Sequence, residues 1–253
     1  LVIGGQSTFT LMPGAVLRGS GVIDCLAGSL VSHGRIAPGG ADAAVLTLLG
    51  DLPCQSDGVL AIDIDAPAGA CDRINAPLWY GSGGTVALAG TLEFDVAGAD
   101  CLALGDTFAF LTAEAVTGRF DCVHGADAIG DGLALAVTYS PAAATATVAI
   151  IGDADLDGKV DFEDLTTLRD AVNSSAPAQW ADGDFDQDGR IDATDYILLK
   201  QAFASAGGGG VSSVPEPCSI ALLACMATAM LRRRNPPATT SPPRAVSARR
   251  RFV

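Results

Sequence analysis

Two twelve-residue stretches of the chain carry one pattern. The first, 153–164, sets Asp153, Asp155, Asp157, Asp161 and Asp164 at positions 1, 3, 5, 9 and 12, and the second, 184–195, sets Asp184, Asp186, Asp188, Asp192 and Asp195 at the same positions. Each has glycine at position 6 (Gly158, Gly189), followed by Lys159 or Arg190, whose peptide carbonyl is a further oxygen donor while its charge points outward. Calcium is a hard cation that takes about six to eight oxygens, and alternate side chains of a tightly turned loop converge on one centre where glycine permits the bend. Two Ca2+ sites are therefore expected. Magnesium demands near-octahedral geometry and suits this donor set less well. A run of solvated acidic turns is the alternative, but it does not require every liganding position to be filled twice.

Helical apolar spacing follows each loop: Leu165, Leu168 and Val172 after the first, Tyr196, Leu199 and Phe203 after the second. No helix is expected before the first loop, because residues 147–151 alternate like a strand. Loop then helix, twice, with Asp at position 12, departs from the ordinary EF-hand and resembles the type I dockerin duplicate, with two F-hand loop–helix motifs over 152–206. The resemblance implies that a cohesin-like protein domain is bound through loop positions 10 and 11 and a basic residue further down the helix. In this chain those are Phe162 and Glu163 with Arg169, and Ala193 and Thr194 with Lys200. The family's dual binding mode rests on near-identical halves. The two triplets differ here, and Thr194 makes the second half the closer match. Ten carboxylates crowd a segment with a small core, so calcium is expected to act as a folding cofactor.

The preceding residues suggest mainly β structure. The chain is 49% hydrophobic and 17% charged, with 30 glycines among 253 residues. Strands in residues 1–44 are short and punctuated by glycine, so their stacking as the end of a β-helix or solenoid is expected. From Val45 they lengthen and alternate up to residue 151, which predicts antiparallel pairing in a β-sandwich. Pro38-Gly39-Gly40, the Gly58–Ile64 run, Gly90-Thr91-Leu92 and the Gly105–Leu111 run resemble exported bacterial proteins with autotransporter-associated β-strand repeats. That resemblance implies a structural stalk and supplies no catalytic residue.

The C-terminal zone has another character. After a Gly/Ser linker at 207–213 come Pro215, Glu216 and Pro217, an apolar run at 218–231, and Arg232, Arg233 and Arg234. This order resembles a PEP-CTERM sorting signal (214–234), which implies processing by an exosortase-type enzyme and membrane contact through 218–231 before processing. Residues 235–253 read as a disordered Pro- and Arg-containing tail. Leu1 begins without a basic n-region or apolar h-region, so the chain reads as the C-terminal part of a longer protein.

Charge narrows the partners. Residues 1–151 hold 15 acids against 4 bases and residues 152–206 hold 13 against 4, which excludes nucleic acid as a partner of this body. Seven cysteines lack zinc spacing and are open to two readings, small buried side chains or disulfide partners. The leading expectation is an exported, non-catalytic cell-surface or extracellular protein. Two others stay open: the C-terminal part of a polysaccharide-degrading glycosidase or lyase, and an adhesive or ice-binding β face. Within these residues no nucleophile, zinc or nucleotide motif supports catalysis.

Overall fold

The computed structural model describes residues 8–206, apart from 41–42, 79–80, 82, 128, 173 and 175–177. The strands of residues 8–124 follow one winding path over three faces. The first turn is β1 (Thr8–Leu11), β2 (Val16–Gly19) and the first half of β3 (Gly21–Ser32). The second half of β3 begins the next turn and lies parallel on β1, with Thr8 opposite Ser29. Next, β4 (Arg35–Pro38) lies parallel on β2, and the start of β5 (Val45–Pro53) lies parallel on the start of β3.

The following turns repeat this with β6 (Val59–Asp65), β7 (Ala70–Cys71), β8 (Arg73–Ala76), β9 (Thr85–Leu88), β10 (Thr91–Ala97), β11 (Thr107–Ala113), β12 (Ala115–Gly118) and β13 (Cys122–His124). β6, β10 and β13 extend the ladder of β2 and β4. β8 and β11 extend the β3–β5 ladder, and β9 and β12 extend the third. A hairpin closes the winding: β14 (Leu133–Ser140) pairs antiparallel with β15 (Ala143–Ile150), and β15 lies antiparallel on β11. One sheet therefore ends in β13 and the other in β14.

Stacked aliphatic side chains hold the winding together. Leu17, Ile36, Leu60, Leu92 and Val123 follow one another in register along one face, and Leu46, Ile74 and Leu111 along another. Ile36, Leu60, Leu92, Ile74 and Leu111 are at most 3% exposed, and each such burial contributes roughly 1.5–3 kcal/mol.

Two expectations are corrected here. Residues 45–151 do not pair as an antiparallel sandwich. Up to His124 the ladders among the described residues are parallel except for β6 with β7, and the other antiparallel ladders join β11 to β15 and β15 to β14. Alternation reports which side of a strand is buried, whereas pairing direction depends on the route between strands, and each connection here returns the chain to the same face in the same sense. Nor does the organisation break at residues 44–45, since β5 continues the β3 ladder from Val45 onward.

Glycine turns the corners. Gly90 has φ +77°, and a Cβ there would collide with the carbonyl oxygens of Gly58 and Gln55. Its N–H donates to Asp121 Oδ2 at 2.7 Å. Gly90→Ala is expected to lower stability by about 2–4 kcal/mol. An unchanged urea midpoint would contradict this account of the corner.

After Ile150 the chain turns, with the Asp153 N–H donating to the Ile150 carbonyl at 3.0 Å. It then forms α1 (Phe162–Ala171), a single 3-10 turn at Trp180–Asp182, and α2 (Ala193–Ala206). The element directly before the first loop is the strand β15, not a helix. The described residues all fall within one compact unit. Among them no helix is long and apolar enough to cross a membrane.

Candidate metal centre

The strand leading out of the β body delivers Asp153 to a buried position, 1% exposed. Its carboxylate accepts from the N–H groups of Asp157 (3.2 Å) and Gly158 (2.9 Å), so the loop folds back over its own first residue. Gly158 (φ +86°) makes this bend and Gly189 (φ +84°) its counterpart. At position 4, Leu156 and Gln187 both take left-handed backbone (φ 62° and 53°), an unusual conformation for residues with side chains. Two independent stretches thus fold into one geometry.

The last residue of each loop ties its two ends together. Asp164 accepts from Ala154 N–H and Asp161 N–H, both at 2.8 Å. Asp195 accepts from Phe185 N–H and Asp192 N–H, also both at 2.8 Å. In the first half Asp161 is the N-cap of α1 and forms a capping box with Asp164. The short Asp at position 12 thereby also starts the helix.

Two groups of carboxylates converge. One oxygen from each of Asp153, Asp155 and Asp164 lies within 4.8 Å of the others, and the same holds for Asp184, Asp186 and Asp188. Asp157 and Asp161 lie outside the first group and accept from Lys159 N–H and Glu163 N–H. Asp192 and Asp195 lie outside the second. Lys159 and Arg190 are exposed, and the Lys159 ammonium rests on Asp157 at 3.3 Å.

Electrostatics distinguish these groups from ordinary surface acids. Burial pushes the Asp153 carboxyl up to about 6, with Asp164 adding to the rise. Burial, then the charge of Asp195, drives Asp184 up to about 8. Asp195 itself rises to about 6, chiefly through burial, and burial also raises Asp164 and Asp186. Asp184 Oδ1 is buried with no hydrogen-bond partner, beside Asp186 and Asp188. A buried anionic oxygen without a donor costs several kcal/mol unless a cation or proton meets it. The donor set, all carboxylate oxygen, suits a hard divalent cation.

The sign of the pH effect follows. Unfolded Asp titrates near 3.9, so between about pH 4 and pH 8 the folded, metal-free protein holds more protons than the unfolded chain. Its stability must then fall as pH rises through that window. Metal-free protein is expected to melt at a higher temperature at pH 6 than at pH 8, and the reverse order would contradict these assignments.

All six residues expected to contact a partner are on the surface: Phe162, Glu163 and Arg169 on α1 or its start, and Ala193, Thr194 and Lys200 on α2. Phe162 is 68% exposed, and Arg169 forms an ion pair with Asp170 at 2.7 Å. Pro215, Glu216, Pro217, Arg232, Arg233 and Arg234, like the whole of 207–253, lie outside the described residues. Cys25, Cys54, Cys71, Cys101 and Cys122 are free thiols, and burial pushes Cys54 up to about 12.

Two residues that the loop pattern does not single out complete the site. Trp180, 1% exposed, donates its indole N–H to the Asp153 carbonyl at 2.6 Å and packs edge-on against Phe185. It joins the first loop to the second. Gln187, 6% exposed, faces the β body. The available signal was a difference between the copies, because Gln187 stands where the first loop has Leu156.

Fold and site together define a duplicated acidic loop–helix module built onto a parallel-wound β body. The family model of the dockerin type I domain matches residues 151–204. No curated protein matches the chain.

Proposed function

We propose that the chain is an exported, non-catalytic surface protein whose residues 152–206 dock a partner when ordered by calcium. The observation that carries this reading is the buried, unpartnered Oδ1 of Asp184 within a cluster of three carboxylates. The dockerin match over the same residues supports it, since dockerin domains bind calcium and typically bind cohesin. In this reading Asp153, Asp155, Asp157, Asp161 and Asp164 hold one ion with the Lys159 carbonyl. Asp184, Asp186, Asp188, Asp192 and Asp195 hold the second with the Arg190 carbonyl. Bound calcium supplies positive charge that offsets repulsion among these carboxylates.

The partner is a cohesin-like domain that meets one of the two exposed triplets on α1 and α2. Residues 8–124 serve as a β-helical stalk. Beyond Ala206 we assign a linker at 207–213, a PEP-CTERM signal at 214–234 processed by an exosortase-type enzyme, and a Pro- and Arg-containing tail at 235–253. Before processing, residues 218–231 contact the membrane, and the mature protein is extracellular or on the cell surface.

Calorimetric titration tests the core of this reading. Two calcium ions should bind, and Asp155→Ala and Asp186→Ala should each remove one. Affinity should weaken about tenfold or more between pH 8 and pH 6, because protons occupy Asp184, Asp153 and Asp195. Calcium should also govern retention on an immobilised cohesin. Absence of calcium uptake in the titration would sink the proposal.

A further inference from the structure

Both sheets end at the same place. β13 is the terminal strand of one and β14 of the other, and among the described residues no further strand is laid on either edge, although the Leu135 N–H of β14 donates to the Ala126 carbonyl at 2.8 Å. Exposed edges invite pairing with other chains, and stacked-turn proteins need a cap at each end. The second acidic loop lies at this end and bonds to both edges through a single residue. Val123 of β13 donates its N–H to the Gln187 carbonyl at 3.0 Å. On β14, the Val137 N–H donates to Gln187 Oε1 at 3.1 Å, and Gln187 Nε2 donates to the Leu135 carbonyl at 2.9 Å. Gly189 approaches the Asp121 carbonyl so closely that a Cβ there would clash with it.

The loop has two working sides. Asp184, Asp186 and Asp188 turn their carboxylates to one cluster, while the intervening Gln187 meets the β body. Whatever orders the first side presets the second. We propose that the second loop is a calcium-dependent cap on the end of the β coil, with Gln187 as its anchor, so that calcium binding and closure of the β13 and β14 edges are reciprocally coupled. This rests on the calcium reading of the second loop. It goes further in making the docking module a built-in terminus of the coil instead of a separate body on a tether.

Hydrogen exchange on the whole protein tests it, read alongside calcium binding by calorimetry. On chelation the amides of Val123 and Val137 should exchange at least about tenfold faster, while that of Ile62, deep in the coil, stays protected. In Gln187→Ala, one of the two calcium affinities should fall by roughly 5- to 10-fold, since coupling acts equally in both directions. Calcium binding that leaves Val123 and Val137 equally protected with and without the metal would overturn the cap and leave the docking module standing. So would unchanged calcium affinity in a folded Gln187→Ala protein. Loss of protection at Ile62 as well would assign calcium to the whole fold and overturn a local cap. Failure to bind calcium at all would remove both proposals. The chelation arm needs no variant, so poor folding of Gln187→Ala does not spoil the test.

Discussion

Chelating calcium from the protein should erase the helical signal of Phe162–Ala171 and Ala193–Ala206 while most of the strand signal survives. The two parts are held together by different means. The coil buries a continuous stack of Ile, Leu and Phe side chains. The helical segment buries few large apolar groups, chiefly Leu168, Trp180, Phe185 and Leu199, together with four carboxylates, Asp153, Asp164, Asp184 and Asp195, each at most 3% exposed. Without a cation those carboxylates must either repel one another or take up protons. An ion at a hundred times its dissociation constant contributes about 2.7 kcal/mol per site, so two sites contribute about 5 kcal/mol. For a segment this small that corresponds to a rise in melting temperature upward of about 15 °C. Circular dichroism in excess EGTA, followed by calcium add-back, measures it. A helical signal indifferent to chelator would rule out calcium as the ordering agent.

Replacing Trp180 with alanine should have the next largest effect. The side chain is 1% exposed, its ring centroid lies 5.4 Å from that of Phe185, and its N–H holds the Asp153 carbonyl. Truncating a buried aromatic of this size costs about 3–5 kcal/mol. Because Trp180 links position 1 of the first loop to position 2 of the second, both calcium affinities should weaken together. Trp180→Phe separates the contributions, since it keeps most of the packing but leaves the Asp153 carbonyl without its donor, at a cost of about 1–2 kcal/mol. Thermal melts and calorimetry on both variants provide the check. If Trp180→Ala weakened only one site, the indole would not be the link between the loops.

The acidic loops were legible because calcium chemistry constrains both residue type and spacing. Asp at alternate positions with Gly158 and Gly189 at the bend leaves little freedom, and the helices followed from Leu168 and Leu199, both buried as their spacing implied. Pairing in the β body was not legible. Thr85–Leu88 and Thr91–Val96 were visible as strands from their alternation, yet alternation is the same for either pairing direction. Glycine misled in a second way. Gly28 suggests a turn between strands, but it lies inside one continuous strand, where Gly50 (φ +152°) of the neighbouring strand packs on its carbonyl. Such residues mark corners between faces, where the chain changes direction without leaving its ladder. Trp180 and Gln187 act through contacts remote in sequence, Trp180 with Asp153 and Gln187 with Leu135 and Val137, and no local pattern encodes these.

The Gln187 contacts also bear on mechanics. A partner gripping α1 or α2 pulls on the coil at two points simultaneously, through the peptide chain between Ile150 and Asp153 and through the bonds from Gln187 to β13 and β14. Tension is then shared between a covalent strand and three amide hydrogen bonds. The loop–helix module is thereby a stiff fitting on the coil, so its orientation follows that of the strands beneath it instead of swinging about a loose joint.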